Sequence, residues 1–236
     1  GLPQPLAKIR AWCDQHDVRL IEDCAHALFG TSDGRPVGTW GDLAIASLTK
    51  FFPVPEGGCL INHLTDKSVP TLLTPSLINQ AKAAFDIFHT SANHNRLNAV
   101  GAMIRVFYGA LRALKLMTSG AAPAAKETST PDEFSIDMTV ARHNLTYASR
   151  WMATHAARER IVARRRQHYT FFAQAFAGQR GLQPLARDLP DHSAPYVFPL
   201  WVDKPDPGYA ELRRLSFPVS RWDQLWPTVP TNVGDK

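Results

Sequence analysis

The sequence has few cysteines and lacks a long apolar run. Its three cysteines, Cys13, Cys24 and Cys59, form no C-x-x-C pair, which disfavours a disulfide-stapled secreted fold and favours a reducing cytosol. No stretch of about 18 consecutive apolar residues is present, so no membrane span is expected. We therefore predict a cytoplasmic globular protein without stable membrane insertion.

The first residues of the sequence show no leader pattern. The chain starts at Gly1 rather than Met, and no basic segment is followed by an apolar one, so no signal peptide is predicted. The missing Met favours a fragment or a trimmed chain.

The excess of positive charge is concentrated in one short segment. The chain has 26 Lys+Arg against 21 Asp+Glu, and residues 158–166 hold five arginines and one glutamate. A nucleic-acid-binding protein usually spreads its cations over a recognisable module, and no zinc-finger, RRM or helix-turn-helix pattern is found. We expect no nucleic-acid partner, and a solvated helix face at this segment.

The hydrophobic pattern predicts an α/β protein of one large domain or slightly more. The 236 residues are 44% hydrophobic, which suits a packed core. Short apolar strands with polar residues at their ends indicate a sheet buried on both faces. In the N-terminal part the predicted elements are helix 4–16, a strand from Val18 that ends at Glu22–Asp23, helix 24–29, strand 43–47 and strand 58–62.

The character changes to helical from Ser76 onward. Apolar residues at helical spacing between Val100 and Leu114 indicate either a core or dimer-interface helix, which we favour, or a helix lying on a membrane surface. Residues 118–131 are rich in Ala, Ser, Thr and Pro and predict a flexible loop. The predicted domains are therefore 1–130 and a small α+β domain, 131–236. The elements predicted in the latter are one broken helix or two helices within 139–177, strand 196–202, helix 209–215, and strand and turn over 217–226.

Polar side chains follow the predicted strands. Asp23 ends the first strand with His26 just beyond it, and Ser47 ends the next with Lys50 close behind. Because ligands of open α/β sheets bind at the carboxyl ends of strands, these side chains could share one crevice. A lysine, a carboxylate and a hydroxyl suit pyridoxal 5′-phosphate (PLP), which needs an amine, a partner for its ring nitrogen and phosphate donors. Taken singly, each residue also has an ordinary structural explanation.

Several motifs that occur in a fixed order favour the PLP site over the ordinary structural explanations. Leu20–Ala27 (LIEDCAHA), Asp33–Gly38 (DGRPVG), Ser47–Lys50 (SLTK) and Glu56–Gly58 (EGG) together resemble the core of the DegT/StrS-type sugar aminotransferases, PLP enzymes of the aspartate-aminotransferase fold. The resemblance implies part of a fold-type I large domain followed by a small α+β C-terminal domain. It also implies a homodimer and an N-terminally truncated member, since family members are considerably longer.

The resemblance also implies residue roles and an activity. Lys50 would bind PLP covalently and shuttle a proton, Asp23 would pair with the ring nitrogen, His26 would contact the ring, and Ser47 would bind phosphate. Asn93 would reach the phosphate from the neighbouring subunit, and no metal is implied. The reaction would move an amino group from an amino acid such as glutamate to a keto-sugar, often nucleotide-linked, in sugar or polysaccharide biosynthesis. The alternative is a non-catalytic binding or regulatory module that keeps the fold.

One departure from the family pattern bears on the substrate. Ser47 and Lys50 are three residues apart, whereas many members separate these positions by five. The three-residue form resembles a subgroup, so the resemblance specifies the cofactor more firmly than the sugar.

Overall fold

The computed structural model describes residues 2, 4–64, 71–119, 138–186, 188–191 and 193–222. Two compact units are present: Gly1–Phe172 with Asp188–Phe198, and Ala173–Arg187 with Pro199–Lys236. The loop predicted over 118–131 and the boundary after residue 130 fall mostly in 120–137, outside the described residues. The division into 1–130 and 131–236 therefore stays a prediction.

A three-stranded sheet organises the N-terminal part. β1 (Ile21–Asp23) runs parallel to β4 (Leu43–Ser47), which pairs antiparallel with β5 (Gly58–Asn62). Helix α1 (Leu6–Gln15) precedes the sheet. Helix 4–16 and the strands at 43–47 and 58–62 are thus confirmed, and the α/β class with them.

The first strand begins three residues later than predicted, for a local reason. The Leu20 N–H donates to the Asp42 carboxylate at 2.8 Å instead of to a neighbouring strand. The Val18 N–H donates to the Cys13 carbonyl near the end of α1. The paired register with β4 accordingly begins at Ile21.

The predicted helix over 24–29 is wrong, because this segment forms turns. The Cys24 N–H pairs with the Ile45 carbonyl at 2.7 Å, and the Asp23 carboxylate accepts from the Ala25 N–H at 2.9 Å. These bonds fix an extended exit from β1. A short hairpin of β2 (Thr31–Ser32) and β3 (Arg35–Pro36) follows.

The sheet buries one face within this chain and exposes the other. Ala44 and Glu22 are buried on one side, whereas Ile21, Ile45 and Leu60 are 59%, 43% and 54% exposed on the opposite side. The register places those three residues on one face because side chains alternate along a strand. The prediction of burial on both faces is therefore wrong for the described part of the chain.

The helical region begins where it was predicted, and its first two helices form a hairpin. Helix α2 (Leu77–Asn93) starts after Ser76, whose hydroxyl accepts from the Asn79 N–H. It packs against α3 (Asn98–Ser119), and the rings of His89 and Tyr108 stack with centroids 3.7 Å apart.

The apolar stripe of α3 faces outward. Val100 and Phe107 are more than half exposed. The prediction that α3 is a core helix is therefore wrong. The interface and membrane-surface interpretations both stay predictions. None of the helices in the described part of the chain combines the length and apolarity that a membrane crossing requires.

The helical character predicted within 139–177 is confirmed, but the segment forms three helices and not one broken helix or two: α4 (Met138–Ala141), α5 (Tyr147–His155) and α6 (Arg158–Ala175). The Thr146 hydroxyl caps α5 by accepting from the Ser149 N–H, and the Thr146 N–H donates to Glu56 at 2.9 Å. The core cluster joins α5 to the loop after β4. It consists of Leu48, Phe51, Phe52, Val54 and Ala153.

The second compact unit contains β6 (Leu182–Pro184), antiparallel to β7 (Leu200–Val202), and α7 (Gly208–Arg214). Helix 209–215 is confirmed within a residue at each end. The strand predicted over 196–202 is reduced to its last three residues, and β6 was not predicted. Residues 217–222 form no strand, and the rest of the segment predicted over 217–226 lies outside the described residues.

Candidate functional site

The two polar strand ends lie at one edge of the sheet. Asp23 in β1 is paired with Ile45 in β4, and Ser47 lies two residues after Ile45 in β4. Asp23 and Ser47 therefore project from the same face of the sheet. Asp23 is exposed apart from its bond to Ala25. The Ser47 hydroxyl lies 3.2 Å from that of Thr49. The parallel pairing of β1 and β4 thus brings these two predicted residues together.

Lys50 is carried by a tightly packed turn. The Leu48 N–H donates to the Gly57 carbonyl at 3.0 Å, and the Phe51 and Phe52 N–H groups both donate to the Leu48 carbonyl. Leu48, Phe51 and Phe52 are all buried, whereas Lys50 is only half-buried. The apolar residues on either side therefore fix the backbone of Lys50.

Tyr196 connects Lys50 with His26. The Lys50 Nζ lies 5.8 Å from the centre of the Tyr196 ring, and the His26 ring lies 4.8 Å from the same centre. Burial, followed by the charge of Lys50, lowers the pKa of His26, while Asp23 opposes the shift. The three predicted groups therefore lie within electrostatic reach of one another, and sequence reasoning did not find Tyr196.

A second residue that the sequence did not reveal is Arg165. Its guanidinium donates to the Lys50 carbonyl, and to the carbonyls of Pro195 and Tyr196 at 3.3 and 3.4 Å. It also stacks 4.6 Å from the centre of the Phe51 ring, and burial lowers its pKa. Arg165 therefore holds the turn of Lys50 against Tyr196.

The interpretation of residues 158–166 as a solvated helix face is correct only in part. Arg166, like Arg165, is half-buried, and its guanidinium donates to the Pro190 and Ser193 carbonyls at 2.8 and 2.9 Å. Arg158, Arg160 and Arg164 are exposed. The local sequence does not distinguish the half-buried arginines from the exposed ones, because the Lys50 carbonyl that Arg165 binds lies 115 residues away in the chain.

Glu22 supports the site from beneath the sheet. Its carboxylate is buried and accepts the backbone N–H groups of Gly38, Trp40 and Gly41 at 2.8, 2.5 and 2.6 Å. Three donors compensate for the cost of burying the carboxylate. This bonding fixes the loop after β3 to the strand that carries Asp23.

The three cysteines are free, and Cys24 adjoins Asp23. Burial, with the charges of Glu22 and Asp23, raises the pKa of Cys24 to about 11. Its thiol is therefore protonated at neutral pH, which makes a nucleophilic role for Cys24 unfavourable.

Asn93 lies apart from this group. It is the last residue of α2, exposed, and its amide nitrogen lies 3.2 Å from the Nε2 of His89 in the same helix. Within the described residues its side chain makes no contact with Asp23, His26, Ser47 or Lys50. A contribution of Asn93 to the site of a second subunit stays a prediction.

The group around Lys50 fits PLP by its chemistry. It offers one amine, one carboxylate, one imidazole and the hydroxyls of Ser47 and Thr49 at one sheet edge. The exposed Asp23 carboxylate keeps an oxygen beyond the one bonded to Ala25. Within the described residues, no group of three or more His, Cys, Asp or Glu side chains is arranged to hold a metal ion.

Replacing Lys50 with Met is expected to raise the pKa of His26, because the change removes a positive charge that disfavours the imidazolium. Asp23→Asn is expected to lower it, because a favourable negative charge is lost. Both shifts are measurable by NMR titration of the His26 ring in the cofactor-free chain. Unchanged titration in both variants would show that the three groups do not interact.

A family model matches the N-terminal part of the chain. Residues 1–104 match the model of the DegT/DnrJ/EryC1/StrS aminotransferase family, and all five predicted site residues lie inside that segment. Over these residues the chain is therefore similar to that aminotransferase family.

Individual relatives match shorter stretches. The chain is 36% identical over 78 residues to a protein of Micromonospora echinospora named as an L-glutamine:3-amino-2,3-dideoxy-scyllo-inosose aminotransferase, covering 32% of this chain and 18% of that protein. It is 37% identical over 60 residues to GDP-perosamine synthase of Vibrio cholerae, covering 25% and 16%. The match to the crystal structure of the aminotransferase TlmJ from Streptoalloteichus hindustanus has a TM-score of 0.48 at 20% identity, covering 92% of this chain and 47% of that one. The matched segments thus span less than a fifth of either curated relative.

Proposed function

We propose that this chain carries the lysine-bearing part of the active site of a PLP-dependent aminotransferase that aminates a keto-sugar. The observation that carries the proposal is the grouping of Lys50, His26 and Asp23 at the carboxyl end of the parallel strand pair. The match of residues 1–104 to the aminotransferase family model supports the same chemistry. When bound, PLP would supply an electron sink for the carbanion formed at the donor Cα.

Each residue then has a defined task. Lys50 Nζ attaches the cofactor and afterwards accepts the proton from the donor Cα. The Asp23 carboxylate keeps the ring nitrogen protonated, and the Ser47 hydroxyl donates to the phosphate. Neutral His26 contacts the ring without adding a second positive charge beside Lys50.

The surroundings of Lys50 suit proton transfer. The Tyr196 ring shields one side of the amine, and Arg165 fixes the backbone of the turn from which the side chain extends. A fixed backbone limits the positions that Nζ reaches, which favours transfer at one carbon.

The proposed acceptor is a keto-sugar, and the nucleotide-linked form is the finer part of the proposal. It is supported by the relative named for a GDP-linked sugar. Glutamate is the proposed amino donor, a homodimer the proposed assembly, and the cytoplasm the proposed location. The alternative is a non-catalytic module that keeps the fold. We disfavour it because such a module has no use for a lysine held beside a histidine and a carboxylate.

The proposal is tested by incubating the chain with PLP and glutamate and measuring 2-oxoglutarate. An aminotransferase forms about one equivalent per site without an acceptor and more when a keto-sugar is added. A non-catalytic module forms none in either case, and that outcome would contradict the proposal.

A further inference from the structure

Two side-chain hydroxyls lie next to each other at the end of β4. The Oγ of Ser47 and the Oγ1 of Thr49 are 3.2 Å apart, and either can be the donor. Within the described residues neither hydroxyl has another hydrogen-bond partner. A hydrogen bond between two hydroxyls uses only one of their two protons, so the other proton is available to a ligand that accepts hydrogen bonds.

The turn that follows β4 contributes two further donors. The backbone N–H groups of Thr49 and Lys50 form no hydrogen bond within the described part of the chain. The turn closes instead through the Leu48 carbonyl, which accepts the N–H groups of Phe51 and Phe52. Unpaired N–H groups on successive residues of a turn are a common feature of anion-binding sites. The hydroxyl pair therefore lies on a segment that has several donors and too few acceptors.

Phosphate is the anion that these donors suit, because each of its three terminal oxygens accepts hydrogen bonds. The proposed cofactor has one phosphate, on an arm attached to the ring carbon beside the one that bears the aldehyde. The amine that attacks the aldehyde and the donors that hold the phosphate must therefore lie close together. Thr49 immediately precedes Lys50, and Ser47 lies two residues before Thr49.

The Thr49 hydroxyl is held in place before any ligand binds. Threonine is β-branched, which restricts rotation about its Cα–Cβ bond. The turn that carries Thr49 is fixed by the burial of Leu48, Phe51 and Phe52. Thr49 itself is exposed, so its hydroxyl is accessible to a ligand. A donor fixed in this way loses little conformational entropy when it binds.

We propose that Thr49 is a second hydroxyl donor to the PLP phosphate and binds it together with Ser47. The inference rests on the proposed function and adds a residue to the proposed cofactor site. The hydrogen bond between the two hydroxyls is then exchanged for two bonds to a charged acceptor, which are stronger.

The test is calorimetric titration of the cofactor-free chain with pyridoxamine 5′-phosphate and with pyridoxamine. Both compounds bind without a covalent bond to Lys50, and they differ only in the phosphate. Thr49→Val removes the hydroxyl and keeps the shape of the side chain. It is expected to weaken the binding of pyridoxamine 5′-phosphate about tenfold or more, because a hydrogen bond to a charged group is lost. The binding of pyridoxamine is expected to stay the same.

Three further variants separate the hydroxyl of Thr49 from other effects. Thr49→Ser keeps a hydroxyl and is expected to restore most of the affinity. Thr170→Val makes the same change at an exposed position of α6 and is expected to bind like the parent. The double variant Ser47→Ala, Thr49→Val is expected to bind pyridoxamine 5′-phosphate more weakly than Ser47→Ala alone. Thermal unfolding of each variant, followed by circular dichroism, verifies the fold.

Unchanged binding of pyridoxamine 5′-phosphate by Thr49→Val would overturn the inference, and so would an equal loss in the binding of pyridoxamine. A Ser47→Ala variant that Thr49→Val does not weaken further would also overturn it, because Thr49 would then act only by orienting Ser47. In these three cases the parent chain still binds pyridoxamine 5′-phosphate, so the proposed cofactor site stands. A parent chain that does not bind pyridoxamine 5′-phosphate would contradict that site and the inference together.

Discussion

Lys50→Ala is expected to abolish the formation of 2-oxoglutarate from glutamate in the presence of PLP. The variant removes the group that attaches the cofactor and the base that takes the proton from the donor Cα. Loss of the proton-transfer group alone lowers a rate by about 10²–10⁴-fold, and loss of the attachment adds to this. Rapid-quench measurement of 2-oxoglutarate gives the rate.

Two companion variants separate chemistry from charge. Lys50→Arg keeps the positive charge, but the guanidinium stays protonated and accepts no proton, so it is expected to be as inactive as alanine. Lys82→Ala removes an exposed lysine on α2 and is expected to retain the parent rate. Activity of Lys50→Ala above a tenth of the parent rate would contradict the role of Lys50.

Gly41→Ala is expected to destabilise the fold strongly, because backbone atoms enclose this glycine. A Cβ at this position would lie 2.5 Å from the Leu43 carbonyl oxygen and 2.9 Å from that of Leu20. Both oxygens belong to the sheet and its entry, so no side chain can move aside to make room. We expect a loss of about 3 kcal/mol in the free energy of unfolding, measured by urea titration.

The same substitution also reaches the site. The Gly41 N–H donates to Glu22, whose neighbour in β1 is Asp23, so displacing this loop shifts the strand that carries the carboxylate. The control is Gly109→Ala in α3, where an added Cβ meets no atom within 4 Å. There the helix preference of alanine is expected to stabilise the chain by about 0.5–1 kcal/mol. Equal stability of the two variants would contradict the close packing at Gly41.

The sequence predicts the elements whose pattern is local. The strands at 43–47 and 58–62 are short apolar runs bounded by glycine and polar residues, and they form with those bounds. Helix α2 begins directly after Ser76, where the helical character of the sequence begins. The helix predicted over 24–29 is wrong because the Cys24 N–H bonds to the neighbouring strand and the Asp23 carboxylate accepts from the Ala25 N–H within a turn. The spacing of apolar residues in the sequence does not show these bonds.

The sequence likewise predicts only those residues of the site whose position depends on local structure. Asp23, His26, Ser47 and Lys50 follow strand ends, and the parallel pairing of two strands is enough to gather them. Tyr196 and Arg165 reach Lys50 from more than a hundred residues away, so only the folded chain brings them there. The role predicted for Asn93 depends on a second subunit and stays a prediction.

Covalent labelling of Lys50 tests the central claim most directly. The chain is incubated with PLP, reduced with borohydride, digested and mapped by mass spectrometry, with Lys50→Ala treated in parallel. We expect a phosphopyridoxyl group on Lys50 in preference to the exposed Lys8, Lys82 and Lys204, and its loss in the variant. Equal labelling of the exposed lysines, or no label on Lys50, would contradict the assignment of a PLP site.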